Sequence, residues 1–68
     1  MTKTIKIEGM SCENCTRSVE TALNTLKGIS SVVVDLDKKQ AVVEVNGVED
    51  KEIKDVIDDI GFEVVGIE

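Results

Sequence analysis

The stretch Ile29-Ser30-Ser31-Val32-Val33-Val34-Asp35-Leu36-Asp37-Lys38-Lys39-Gln40-Ala41-Val42-Val43-Glu44-Val45 decides how this chain folds. It holds two valine-rich runs joined by a short polar link, Asp37-Lys38-Lys39-Gln40. β-Branched residues suit a pleated, half-buried surface better than a helix. In the first run Val32, Val34 and Leu36 share one face, with Ser31, Val33 and Asp35 on the other. In the second, Ala41, Val43 and Val45 alternate with Val42 and Glu44. Period-two alternation on both sides of a polar turn reads as a β-hairpin with one buried face.

Upstream of the hairpin, Thr4 to Glu8 reads as a half-buried strand with Ile5 and Ile7 inward. Gly9 breaks it. Ser11 is the expected N-cap of a helix whose apolar stripe is Cys15, Val19, Ala22, Leu23 and Leu26. Lys27 and Gly28 read as its stop, a cation in the last turn and a glycine just beyond. Downstream, Asn46-Gly47 ends the hairpin, and Asp50 is expected to cap a second helix with the stripe Ile53, Val56, Ile57 and Ile60. Gly61 ends that helix, and Glu63 to Ile67 forms a last strand. The order strand, helix, strand, strand, helix, strand is the split βαβ, or ferredoxin-like, unit. The expected fold is therefore α+β, a βαββαβ sandwich. A four-stranded antiparallel sheet carries two helices on one face, with right-handed crossovers. Residues 1–68 read as a single small domain. Val33 and Val42 are expected as cross-strand neighbours on the uncovered face.

Eight basic residues against 14 acidic leave a net charge of −6. Phosphate binding needs a basic face, so nucleic acid is not an expected partner. An RNA-binding sheet of this topology would also need stacking aromatics, and Phe62 is the only aromatic residue. The longest apolar runs are three residues, as in Val32-Val33-Val34, so no membrane insertion is expected. The start, Met1-Thr2-Lys3-Thr4, lacks the apolar segment of a signal peptide. These features predict a cytoplasmic protein, and in that compartment thiols stay reduced.

Both cysteines of the chain lie in Gly9-Met10-Ser11-Cys12-Glu13-Asn14-Cys15, between the first strand and the first helix. A reduced cysteine pair at this spacing points to metal binding or redox chemistry. Thiolates favour soft ions such as Cu(I), Zn(II), Hg(II) or Cd(II). A closed zinc site wants about four Cys or His donors, and this chain has two cysteines and no histidine. Two thiolates suffice for Cu(I) and leave it open to a third. Cys15 falls in the first helical turn, where free N–H groups and the helix dipole favour a thiolate. Cys12 falls in a loop that can close on a metal and reopen. A thioredoxin-type oxidoreductase is disfavoured, because the chain is short for that fold and has no proline and no aromatic beside the pair. No general base stands near the thiols in the sequence, so an enzyme is not expected.

The same seven residues resemble the G-M-x-C-x-x-C motif of the heavy-metal-associated domain family. That family includes small bacterial copper chaperones and the N-terminal domains of copper-transporting P-type ATPases. The resemblance runs through the first helix, the Lys27-Gly28-Ile29 turn, the valine hairpin and the Ile60-Gly61-Phe62 loop. It implies the ferredoxin-like fold and Cys12 and Cys15 as ligands of one Cu(I). It makes Met10 a packing residue beneath the loop, and it places Phe62 beside the metal. It also implies delivery of copper to a P-type ATPase or another cysteine-pair acceptor, by a monomer or a metal-bridged dimer. Phe62 is more usual in the ATPase domains, whereas a start at methionine and an end at the last strand suit a freestanding chaperone, the expected form. The alternatives are an ATPase domain and a mercury- or zinc-handling protein.

Overall fold

The computed structural model describes residues 1–68. The elements are β1 (Thr2–Glu8), α1 (Glu13–Asn24), β2 (Ile29–Asp35), β3 (Gln40–Val45), α2 (Asp50–Asp59) and β4 (Glu63–Ile67). The strands form one sheet in the order β2-β3-β1-β4, antiparallel throughout. The hairpin pairs Val33 with Val42, and Val33 is exposed on the open face. Alternation sets the other face. Ile5 and Ile7 of β1 and Ala41, Val43 and Val45 of β3 are buried, and their neighbours in sequence are not. Val19 and Leu23 of α1 and Ile53 and Ile57 of α2 meet them in one core. The fold is the expected ferredoxin-like sandwich, with both helices on one sheet face.

Each fully buried Leu, Ile or Val contributes about 1.5–3 kcal/mol. Val19, Leu23, Ile53 and Ile57 are all fully buried. Together they outweigh any single cap or surface pair, so the fold rests on the stripes and not on the cysteine loop. The surface pair of Lys3 with Asp50 adds a tie between β1 and α2. Lys3 lies on the helix side of the sheet, at the strand end, where its ammonium still reaches α2.

Four local readings are corrected. The N-cap of α1 is Cys12, not Ser11. The N-cap of α2 is Glu49, and Asp50 is the first residue inside the helix. α1 stops at Asn24, and no basic residue stands in its last turn. The Thr25 hydroxyl bonds the Ala22 carbonyl at 2.6 Å, which helps satisfy the helix end before Lys27 is reached. Leu26 consequently lies beyond the helix, though it still packs on the core. Gly28 (φ 97°) has a packing role of its own: a Cβ there would lie 2.5 Å from the Asn46 carbonyl oxygen. That close approach lets the Asn46 N–H reach the Gly28 carbonyl at 2.8 Å and closes the far end of the hairpin.

Candidate metal centre

The cysteine loop begins where β1 ends. Gly9 has φ 104°, a region that side chains with a Cβ rarely enter, and this turns the chain out of the sheet. Met10 follows and is buried in the core, 4% exposed, as a packing residue should be. Ser11 and Cys12 then emerge into solvent. Cys12 sits at the N-cap of α1 with its carbonyl accepting from the Cys15 N–H at 3.0 Å and the Thr16 N–H at 3.3 Å. Cys15 lies in the first turn, half-buried against the core. One turn of helix therefore brings the two sulfurs to 3.4 Å from each other, and both thiols are free.

The electrostatics favour a thiolate at Cys15. Hydrogen bonding from the Ser11 backbone is the main influence holding the Cys15 thiol below its ordinary pKa. The Cys12 side chain acts next in the same direction, and partial burial opposes both. Glu13 opens the helix and is exposed. Nowhere do three or more His, Cys, Asp or Glu side chains converge on one point. The loop thus offers two soft donors, side by side at a helix N-terminus, with one side open to solvent. Such a donor set suits a soft, low-coordinate ion better than one that demands a closed tetrahedral shell.

The sequence located both thiols and the buried Met10. It did not reveal the part played by Ser11, which acts through its backbone and has no residue-type signature. Phe62 is the other neighbour of the loop: its ring lies against Gly9. A helix long and apolar enough to cross a membrane is absent.

Fold and loop together define a small ferredoxin-like domain that presents a paired thiol at the start of its first helix. The model of the heavy-metal-associated domain matches residues 4–63, and the chain belongs to that family. It is 45% identical over 64 residues to a protein of Staphylococcus haemolyticus named copper chaperone CopZ, covering 91% of this chain and 94% of that one. Among solved structures, a CopZ metallochaperone superposes with a TM-score of 0.91 at 37% identity, over 96% of this chain and all of that one. A copper-binding domain from HMA7, a P-type ATPase, superposes with a TM-score of 0.88 at 34% identity, over 100% of this chain and 99% of that one.

Proposed function

We propose that this protein is a copper chaperone. Cys12 and Cys15 bind one Cu(I) as thiolates and hand it to an acceptor that carries its own cysteine pair, such as a copper-transporting P-type ATPase. The observation that carries the reading is the donor count: two thiols meet at the start of α1, 3.4 Å apart, with no third donor converging on them. The names of the curated relatives support copper as the cargo and a carrier, not an enzyme, as the role. A cytoplasmic location follows from the same reading, since reduced thiols are needed there.

The open side of the site sets the mechanism. An incoming thiolate adds to the two-coordinate ion before one of the protein's own sulfurs leaves. Copper passes through a three-thiolate bridge and is never free in water. The charge of −6 adds a steering effect: docking to a basic face should slow as salt rises, because exposed charges are screened beyond about 8 Å at physiological ionic strength. Stopped-flow transfer to a soluble cysteine-pair domain tests this route. Transfer faster than copper loss to a chelator is expected; equal rates would remove the bridged step and the chaperone role with it. Competition of Cu(I) against Zn(II) and Hg(II) tests the cargo, and Cu(I) should outcompete Zn(II).

A second reading, a metal-binding domain of a copper ATPase, is favoured by the likeness to the HMA7 domain. Immunodetection separates the two. A freestanding chaperone is found as a small polypeptide in the soluble fraction, and an ATPase domain as part of a large membrane-bound one.

A further inference from the structure

Three asparagines occur in the chain, Asn14, Asn24 and Asn46, and all are exposed. What separates them is the backbone that follows each. Asn14 and Asn24 lie in α1, and the next N–H groups are engaged: that of Cys15 donates to the Cys12 carbonyl at 3.0 Å, and that of Thr25 to the Ala22 carbonyl at 3.2 Å. Asn46 is followed by Gly47, in the turn between β3 and α2. The Asn46 carbonyl and the Gly47 N–H, the two ends of that peptide unit, enter no backbone hydrogen bond. A Cβ built on Gly47 would meet nothing within 4 Å, so the turn is open around it. A glycine also has no side chain to block approach to its nitrogen. The Asn46 amide and the Gly47 nitrogen are therefore neighbours that nothing in the fold holds apart.

We propose that Asn46 is a site of spontaneous covalent modification, deamidation to aspartyl and isoaspartyl forms, and that the isoaspartyl form loosens the turn that seats Val48. The Gly47 nitrogen gives its proton to solvent and attacks Cγ of Asn46. A bond forms between that nitrogen and Cγ, the bond from Cγ to Nδ2 breaks, and Nδ2 takes up a proton and leaves as ammonia. Water then opens the cyclic imide. Attack at Cγ gives aspartate, and attack at the main-chain carbonyl gives isoaspartate, whose backbone runs through Cγ. The sum is one water consumed and one ammonia released, with no change of oxidation state. The isoaspartyl product lengthens the chain by one backbone atom and turns the Asn46 carbonyl into a carboxylate. Neither change is accommodated where Gly28 stands opposite. A Cβ there would lie 2.5 Å from the Asn46 carbonyl oxygen and 2.9 Å from Cγ2 of Val48. Val48 belongs to the core and is 7% exposed. β3 runs antiparallel to β1, so this turn lies beside the start of β1, and the cysteine loop follows its other end. The modification therefore acts on stability and leaves the two thiols in place.

The test incubates the full chain, reduced and metal-free, in oxygen-labelled water at neutral and mildly alkaline pH. Peptide mapping by mass spectrometry then follows the conversion of each asparagine. Asn46 should convert faster than Asn14 and Asn24 by on the order of tenfold or more, because the helical sites react only after local opening. Its rate should rise with pH, since the attacking nitrogen must lose a proton. Repeating the incubation in urea separates fold from sequence: Asn14 and Asn24 should speed up, and Asn46 should scarcely change. Equal rates at the three sites in the folded protein, or a large acceleration of Asn46 in urea, would overturn the assignment of Asn46. The effect on stability is read on the isoaspartyl form, separated by chromatography. It should melt on the order of 4–8 °C below wild type, whereas Asn46→Asp, which brings only the charge, should melt close to wild type. An isoaspartyl form with the wild-type Tm would overturn the claim that the turn is loosened. Asn46→Gln should show no conversion at this position and confirms that the signal comes from it.

Discussion

The two helices of this protein begin in opposite ways. α2 is closed by its own residues: the N–H of its cap, Glu49, donates to the Glu52 carboxylate at 3.1 Å, the returning half of a capping box. Asp50 and Glu52 also place acidic groups in its first turn, where the dipole favours negative charge. α1 starts from Cys12 in the extended conformation that caps adopt (φ −155°, ψ 171°), yet no side chain caps it. Sulfur is a weak acceptor and leaves this position underused. The first N–H groups of α1 therefore stay available to a thiolate. Equivalent positions in the two βαβ halves serve stability in one case and, in the function proposed above, ligand chemistry in the other.

The sharpest way to break that comparison is to exchange the roles. Cys12→Ser or Cys15→Ser should nearly abolish Cu(I) binding, because one thiolate alone does not hold the ion against competing thiols. Both variants should stay folded, since neither sulfur belongs to the fully buried core. Glu52→Ala should leave copper affinity untouched. Chelator competition reads all three. A serine variant with near-wild-type affinity, or a Glu52 variant that loses copper, would mean that the two ends are not divided in this way.

The next largest effect is a gain. Cys12→Asp puts a strong capping residue where the backbone already has cap geometry. It should stabilise the metal-free protein by about 1 kcal/mol, or roughly 4–8 °C in Tm for a domain of this size, while copper binding is lost. No rise in Tm would show that the N-terminus of α1 lacks nothing. The opposite change at α2, Glu52→Ala, removes one exposed bond and should cost about 0.5 kcal/mol. Its thermal midpoint would then fall by a few degrees, and an unchanged midpoint would show that the capping bond adds nothing at this exposed site.

The contrast also marks what a sequence reveals. Ile5 and Ile7, Ala41, Val43 and Val45, and the stripes through Val19 and Ile53 were legible because burial imposes a period on residue type. The caps were not. Ser11 outranks Cys12 as a capping residue and Asp50 outranks Glu49, yet the backbone begins each helix one residue away from the better chemistry. At α1 that displacement brings both sulfurs to the helix end. The C-terminus of α1 was misjudged for a similar reason: the Thr25 hydroxyl closes it locally, and a threonine carries no strong stop signal. Bulges between Lys6 and Ile7 and between Ile29 and Ser31 also left no mark in the alternation. In the site, the thiols are plain in the sequence. The resemblance already set Phe62 beside the site, but its contact with Gly9 joins residues far apart in the chain and is read only from the fold.

The smallest expected effect follows from charge. At α2 the favourable negative charge comes from the Asp50 and Glu52 carboxylates, whereas at α1 Glu13 supplies one carboxylate and any further negative charge comes from releasing a proton from Cys15. The Ser11 backbone is the first cause of the lowered Cys15 pKa and the Cys12 side chain the second. In Cys12→Ala, the thiolate absorbance of the remaining cysteine should therefore still titrate below an ordinary thiol, with the shift reduced but not removed. The sign of the stability effect follows. A group whose folded pKa is lowered favours the folded state above its unfolded pKa, and that contribution fades as pH falls through the folded value. Cys12→Ala should accordingly gain stability as pH rises through the interval between those two values, and the Cys12→Ala, Cys15→Ala double variant should lack this gain. Matching pH profiles for the two variants, or a titration at the ordinary thiol value, would show that the start of α1 does not favour the anion. The uncapped helix end would then be no more than a missing cap.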